Sequence, residues 1–122
     1  MHHGHQGSVM KSQQLHRSYQ ESLADKAAQL RQAFDVLCDE DVPIEPVAQL
    51  HLLLHRLAGS AGTYGFAELS RQARALEEPW HQWLAQDEAV RPPAYQVCVQ
   101  QGVAFAAFLD ALRQIAAQEV PS

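Results

Sequence analysis

Apolar residues recur at intervals of three and four along most of the chain, and this spacing predicts a series of amphipathic helices. The first stripe of such positions comprises Leu15, Tyr19, Leu23, Ala27, Leu30, Phe34 and Leu37. It predicts a helix over residues 12–38, which an acidic run and Pro43 then interrupt. The second stripe, over residues 44–64, comprises Leu50, Leu53, Leu57, Ser60, Ala61 and Tyr64. Gly65 follows it, at the place where a left-handed residue commonly ends a helix.

Two further stripes continue the pattern. Phe66 opens the third, which carries on through Leu69, Ala73, Leu76, Trp80 and Leu84 and predicts a helix antiparallel to the second. Pro79 falls inside this stripe, and because the apolar spacing continues beyond it we expect a kink near Glu78 and not an end. After a loop over residues 86–93, a fourth helix is expected over residues 94–118. Its predicted inward side consists of Tyr95, Val99, Gly102, Phe105, Ala106, Leu109, Leu112 and Ala116.

The chain shows no strand-like alternation of any length, so we predict an all-α fold. Four helices joined by short loops pack most simply as an antiparallel up-down-up-down four-helix bundle, and 122 residues suit one domain. Residues 1–10 include three histidines, His2, His3 and His5, and two glycines, Gly4 and Gly7. We interpret them as a disordered leader or cloning remnant, so that the domain comprises residues 11–122.

Composition and charge narrow the functional classes. Hydrophobic residues make up 47% of the chain and charged residues 19%, as in globular proteins. A net charge of −5, without a cluster of lysine and arginine, argues against nucleic-acid binding. No apolar stretch is long enough to span a bilayer and no signal peptide is visible, so we expect a cytoplasmic protein without membrane contact. Cys38 and Cys98 are predicted to be buried reduced thiols, although a disulfide between them remains open.

His55 lies in the middle of the second predicted helix, among small side chains. Because helical positions turn by about 100° per residue, six residues fall within about 60° of the His55 direction. With His55 they form what we call the His55 strip: Ala48, His51, Leu52, Ala58, Gly59 and Gly62. Each helical glycine costs about 1 kcal/mol relative to alanine. A surface with two of them favours the close approach of another molecule.

The run His55-x-Leu57-x-Gly59-Ser60-Ala61, with the later Gly65, Leu69 and Leu76-Glu77, resembles the histidine-containing phosphotransfer (Hpt) domains of bacterial phosphorelays. The resemblance implies a phosphorelay intermediate, which accepts a phosphoryl group from a receiver-domain aspartate onto His55 and passes it to another receiver-domain aspartate. It implies receiver domains and a hybrid sensor kinase as partners, and a carrier without its own ATP site. We expect a monomer that holds no cofactor, with Mg²⁺ on the partner receiver. The chain has no glycine-rich nucleotide loop, in agreement.

The resemblance also implies roles for single residues. A neutral imidazole can act as a nucleophile near pH 7, and a carboxylate at Glu77 would hold its Nδ1–H and leave Nε2 free to attack. Glu77 could instead be an ordinary solvated carboxylate. Many family members carry a lysine three residues after the histidine, where this chain has Ala58, so Arg56 or His51 is expected to supply positive charge. Leu52, beside the small residues of the His55 strip, is a predicted docking contact.

Other interpretations of the function start from the same residues. His51 and His55 have the i, i+4 spacing of zinc ligands, but Leu52 stands where a zinc protease has glutamate and no third ligand is evident, so we expect no metal site. A hydrolase is disfavoured because Ser60 lies on the inward face. A helical adaptor that binds receiver or kinase domains without being phosphorylated remains open as the alternative function.

Overall fold

A computed structural model describes the backbone of residues 3–38 and 43–118 and the side chains of residues 13–38 and 43–118. It contains the four helices α1 (His3–Val36), α2 (Ile44–Thr63), α3 (Ala67–Ala85) and α4 (Ala94–Ala117). A short 3₁₀ turn, Glu88–Val90, lies between α3 and α4, and the described residues include no strand. Contacts are most extensive between α2 and α3 and between α1 and α4. The predicted all-α four-helix bundle is confirmed.

The core is built mainly from the predicted stripes. On α1, all predicted positions from Tyr19 onward are buried or half-buried, whereas Leu15 remains exposed. On α2 the buried set comprises Val47, Leu50, Leu54, Leu57, Ala58 and Ala61. The bundle therefore closes along the faces that the apolar spacing predicts, with α2 rotated enough to bury Leu54 as well.

The first half of α4 has a different inward face from the predicted one. Val99 is 76% exposed and Tyr95 is also exposed, while Val97, Cys98 and Gln101 are buried. Apolar residues surround this half of the helix, so spacing alone does not select a face. Hydrogen bonds select it instead, as the environment of Gln101 shows.

Gln101 is buried because both ends of its amide have partners inside the bundle. Its Oε1 accepts a hydrogen bond from Trp80 Nε1 at 2.6 Å, and its Nε2 donates to the Leu76 carbonyl at 3.2 Å. A buried polar group costs little when its hydrogen bonds are made. The pairing joins α4 to α3 and fixes the rotation of α4.

The turn after α2 sets the relation between α2 and α3. Gly65 has a φ of 87°, the left-handed conformation that favours glycine. The Phe66 N–H donates to the Ala61 carbonyl at 2.8 Å and the Gly65 N–H to the Gly62 carbonyl at 3.3 Å. These two bonds form a Schellman motif, as the predicted helix end requires. The third helix also continues past Pro79 to Ala85, as predicted.

Helix α1 begins earlier than the sequence predicts. Its backbone is helical from His3, so residues 3–10, interpreted above as a disordered leader, are part of α1; residues 1 and 2 lie outside the described range. Once a helix has formed, each added residue contributes a hydrogen bond, and no proline occurs in this segment to stop it. The division of the chain into a leader and a domain from residue 11 stays a prediction.

The two cysteines differ in environment. Cys98 is buried at the α4 side of the core, and burial raises the pKa of its thiol to about 12. Cys38 is exposed, contrary to prediction, because in the turn after α1 it is the neighbouring Leu37 that packs into the core. Both thiols are free. No helix in the described residues is long and apolar enough to cross a membrane.

Candidate functional site

The exposed imidazole of His55 faces a carboxylate on the neighbouring helix. His55 Nδ1 on α2 lies 2.8 Å from Glu77 Oε2 on α3, within hydrogen-bond distance. The His55 side chain is 68% exposed and that of Glu77 only 14%. The antiparallel packing of α2 on α3 after the tight turn at Gly65 brings these two residues together. The sequence prediction placed them as partners, and the structure brings them into contact.

A second imidazole shares the same carboxylate. His51 Nε2 lies 3.2 Å from Glu77 Oε2. This nitrogen atom is buried, and it forms no hydrogen bond with the carboxylate. The His51 ring also stacks on that of His81, with ring centroids 5.5 Å apart. Within the described residues, no three side chains of His, Cys, Asp or Glu are arranged to hold a metal ion. Both His51 and His55 approach the same Glu77 oxygen.

These side chains lie in an open depression of about 580 Å³ between α2 and α3. We call it the His55 depression. It is lined by His51, His55, Ala58, Gly59, Arg74, Glu77, Glu78 and His81. A Cβ added at Gly59 would meet no atom within 4 Å, so packing within the chain does not require a glycine there. The effect of Gly59 is to leave the side of His55 uncovered.

The structure divides the other residues of the His55 strip. Ala48 is exposed, and Leu52 is 43% exposed, so both are accessible to a partner. Ala58 is only 2% exposed, because α3 covers that edge of α2 and Ser70 Oγ donates to the Ala58 carbonyl at 2.7 Å. A Cβ at Gly62 would lie 3.4 Å from Ser70 Oγ. Ala58 is therefore not exposed, contrary to prediction, whereas Gly62 is exposed with one side close to α3.

A family model described as the Hpt domain matches residues 14–118, which is most of the chain. The chain belongs to the Hpt domain family. Membership implies histidine phosphotransfer in a phosphorelay. Hpt domains are phosphocarriers without their own ATP site. Comparisons with curated proteins and with solved structures give no significant match.

The positive charge near His55 does not come from the predicted Arg56. In this Hpt domain Arg56 lines a different groove, between α1 and α2, together with Asp25 and Lys26. Although Arg56 follows His55 directly, the turn of the helix carries its side chain to the far side. His51 does line the His55 depression, but it carries charge only when protonated.

Sequence reasoning missed the arginine that does share the His55 depression, Arg74 on α3. Arg74, Glu77, Glu78 and His81 have the spacing i, i+3, i+4 and i+7, which places them on one face of a helix. Once Glu77 is taken as a partner of His55, the same spacing brings Arg74 and His81 into the site. That signal was present in the sequence.

The arrangement has a clear chemical consequence. When Nδ1–H of His55 donates to Glu77, the neutral ring keeps a lone pair on Nε2. Within the part of the chain that the structure describes, Nε2 of His55 has no hydrogen-bond partner. The site therefore presents an exposed, oriented nitrogen nucleophile.

Proposed function

We propose that this Hpt domain is a phosphorelay intermediate that accepts a phosphoryl group from a receiver-domain aspartate onto Nε2 of His55 and passes it to a second receiver. The observation that supports this assignment is the 2.8 Å pairing of an exposed histidine with a largely buried carboxylate. A buried carboxylate fixes ring orientation and tautomer, while exposure lets a partner reach the opposite nitrogen. The proposal includes a cytoplasmic, monomeric protein with receivers and a hybrid sensor kinase as its partners.

The transfer needs no proton donor or acceptor. The Nε2 lone pair forms a P–N bond while the P–O bond to the receiver aspartate breaks, and the electron pair of that bond stays on the aspartate carboxylate. The proton remains on Nδ1, so the phosphorylated ring is positively charged and faces the Glu77 carboxylate at 2.8 Å. In the onward step, a carboxylate oxygen of the second receiver attacks phosphorus and the P–N electron pair returns to Nε2.

Positioning is the contribution of this chain, because phosphoryl transfer passes through a loose transition state that depends on in-line geometry and charge stabilisation. We assign no cofactor to the Hpt domain, and Mg²⁺ is expected on the receiver. The uncovered surface at Gly59 and the exposed side chain of Leu52 support docking of a receiver close to His55. Small, partly apolar surfaces around a reacting group suit transient partners.

The direct test is phosphorylation by a receiver. Incubated with a phosphorylated receiver, the purified chain should acquire an acid-labile, base-stable phosphoryl group, and His55→Gln should abolish it. His81→Gln is the matched control, since His81 lines the same depression but has no contact with Glu77 among the hydrogen bonds of the described residues. Labelling that survives in His55→Gln would move the acceptor elsewhere. Failure of labelling with every receiver would favour the adaptor.

A further inference from the structure

A phosphoryl group on His55 would place roughly two negative charges in the His55 depression. Two carboxylates, Glu77 and Glu78, already line it. Ala58 contributes no charge, and Arg56 lies in the groove on the other side of α2. Nearby like charges disfavour an anion, so a permanent positive charge within reach would ease the transfer.

Arg74 is the single arginine or lysine among the side chains that line the depression. Three other exposed arginines of the described chain are engaged by acidic neighbours: Arg31 with Asp35, Arg71 with Glu68, and Arg113 with Asp110. Within residues 13–38 and 43–118, Arg74 forms neither an ion pair nor a side-chain hydrogen bond. Its guanidinium donors are therefore available to a ligand in the depression.

The register of the two helices places Arg74 on the side of His55 where Ala58 and Gly59 lie. The His55–Glu77 hydrogen bond and the close approach of Gly62 to Ser70 fix how α2 and α3 align. Because the helices are antiparallel, a step from Glu77 back to Arg74 follows the direction in which α2 advances from His55. Three residues correspond to roughly 4.5 Å along a helix axis, which is within the span of an arginine side chain.

We propose that Arg74 binds the phosphoryl oxygens on Nε2 of His55, so that α3 supplies both the carboxylate that orients the ring and the cation that stabilises the transferred group. This inference rests on the proposed function. A guanidinium is always charged, and its planar set of N–H donors matches two phosphoryl oxygens. Arg74 donates hydrogen bonds only, so no bond to phosphorus changes beyond those of the transfer itself.

The test uses phosphoramidate, a small phosphoryl donor that needs no receiver. Nε2 of His55 attacks its phosphorus, the P–N bond of the donor breaks, and ammonia leaves with the electron pair. We compare Arg74→Ala and Arg74→Lys with Arg56→Ala, the matched loss of an exposed arginine outside the depression. A charge-assisted hydrogen bond contributes roughly 1.5–3 kcal/mol, so Arg74→Ala should phosphorylate about tenfold more slowly or worse. Arg74→Lys should recover part of the rate, and Arg56→Ala should match the wild type.

A second readout separates contact from indirect effects. In the phosphorylated wild type, the ³¹P resonance should move relative to that of Arg74→Ala, and the Arg74 Nε–H signal should shift on phosphorylation. Circular dichroism should show the same fold in every variant. Equal rates and equal ³¹P shifts in the wild type and Arg74→Ala would overturn the role of Arg74. Labelling by phosphoramidate without labelling by any receiver would instead contradict the proposed relay function, and would leave the Arg74 comparison intact.

Discussion

A single carboxylate oxygen lies close to two imidazole rings but forms a hydrogen bond with only one of them. Glu77 Oε2 lies 2.8 Å from Nδ1 of His55 and 3.2 Å from Nε2 of His51, but only the first contact is a hydrogen bond. An ionised carboxylate accepts and does not donate. The neutral His55 ring must therefore carry its hydrogen on Nδ1, which leaves the lone pair on Nε2, the nitrogen that we propose to react.

Removal of the Glu77 carboxylate should slow the phosphorylation of His55 without unfolding the domain. Loss of a partner that orients a metal-binding histidine typically costs roughly ten- to a hundredfold, and we expect Glu77→Ala to slow the reaction by a similar factor. Glu77→Gln should lie between Glu77→Ala and the wild type, because an amide oxygen still accepts from Nδ1–H but carries no charge. The measurements are the phosphoramidate rate and the ¹⁵N shifts that report the His55 tautomer. A wild-type rate in Glu77→Ala would show that Glu77 has no orienting role.

The sequence predicted the pair at the centre of this site and, around it, His51, Ala58 and Gly59, but not the other residues that α3 contributes. His55 and Glu77 follow from a motif. Arg74 does not, because the motif marks one position on α3 and the rest of that face follows only from helical spacing around it. Ala58 was misplaced for a different reason: a wheel drawn for one helix shows which residues share a face, but not which edge of that face the next helix covers.

At the scale of the elements, the three glycines near the end of α2 occupy their positions for different structural reasons. Gly65 adopts a φ of 87° and ends the helix. Gly62 approaches Ser70 on α3, where an added Cβ would lie 3.4 Å from Oγ. Gly59 has neither a positive φ nor a close neighbour. Its cost to the helix is therefore not offset by any contact within the described chain.

Gly59→Ala should stabilise the domain and slow its function. Alanine in a helix interior is favoured over glycine by about 1 kcal/mol, and open space around Gly59 accommodates the new methyl group. The same methyl group would stand on the proposed docking surface, so phosphoryl transfer from a receiver should become slower. Urea unfolding measures the free energy of unfolding, and labelling by a phosphorylated receiver measures the rate of phosphoryl transfer.

Gly102→Ala provides the control for this comparison. Gly102 is also helical with open space at its Cβ, but it lies on α4, away from the His55 depression. The Gly102→Ala substitution should raise the free energy of unfolding by a similar amount and leave the transfer rate unchanged. Equal transfer rates for Gly59→Ala and Gly102→Ala would remove Gly59 from the docking surface.

Apart from the start of α1, helix boundaries were easier to predict than helix rotation. The end of α2 and the continuation of α3 through Pro79 follow from local residue chemistry, which the sequence displays directly. The rotation of α4 depends on Gln101, whose partners Trp80 and the Leu76 carbonyl are more than twenty residues away in sequence. A polar residue in an otherwise apolar helix is normally assigned to the surface, so the apolar spacing favoured Val99 over Gln101 for the core.

Across the whole molecule, the α2–α3 pair carries the site and the other two helices restrain it. Tyr19 on α1 shares a hydrogen bond of 2.7 Å with Ser60 on α2, and its ring stacks on that of Tyr64 at 4.4 Å. On the other side, α4 is joined to α3 through Gln101 and Trp80. Each helix of the site is thus tied to a helix outside it. Such restraint keeps His55 and Glu77 in register without any contribution from a partner.

The buried thiol of Cys98 links the stability of the whole bundle to pH. Burial raises its pKa from 9.0 to about 12 in the folded state, so between these values the unfolded chain loses a proton that the folded chain retains. The folded state then binds more protons, and the free energy of unfolding should fall as pH rises from about 9 towards 12. Burial raises the pKa of Tyr19 as well and adds a decline of the same sign.

Urea unfolding at pH 8 and pH 10.5 measures this decline. Cys98→Ala should start from a lower stability at pH 8, because it leaves a cavity in the core, but should lose less on going to pH 10.5. Cys38→Ala should reduce the decline by a smaller amount, because Cys38 adds to the raised pKa of Cys98 but burial is its largest cause. If the Cys98→Ala protein lost as much stability as the wild type, the thiol would have to be accessible to water in the folded bundle. The α4 rotation that buries Cys98 and Gln101 together would then be wrong.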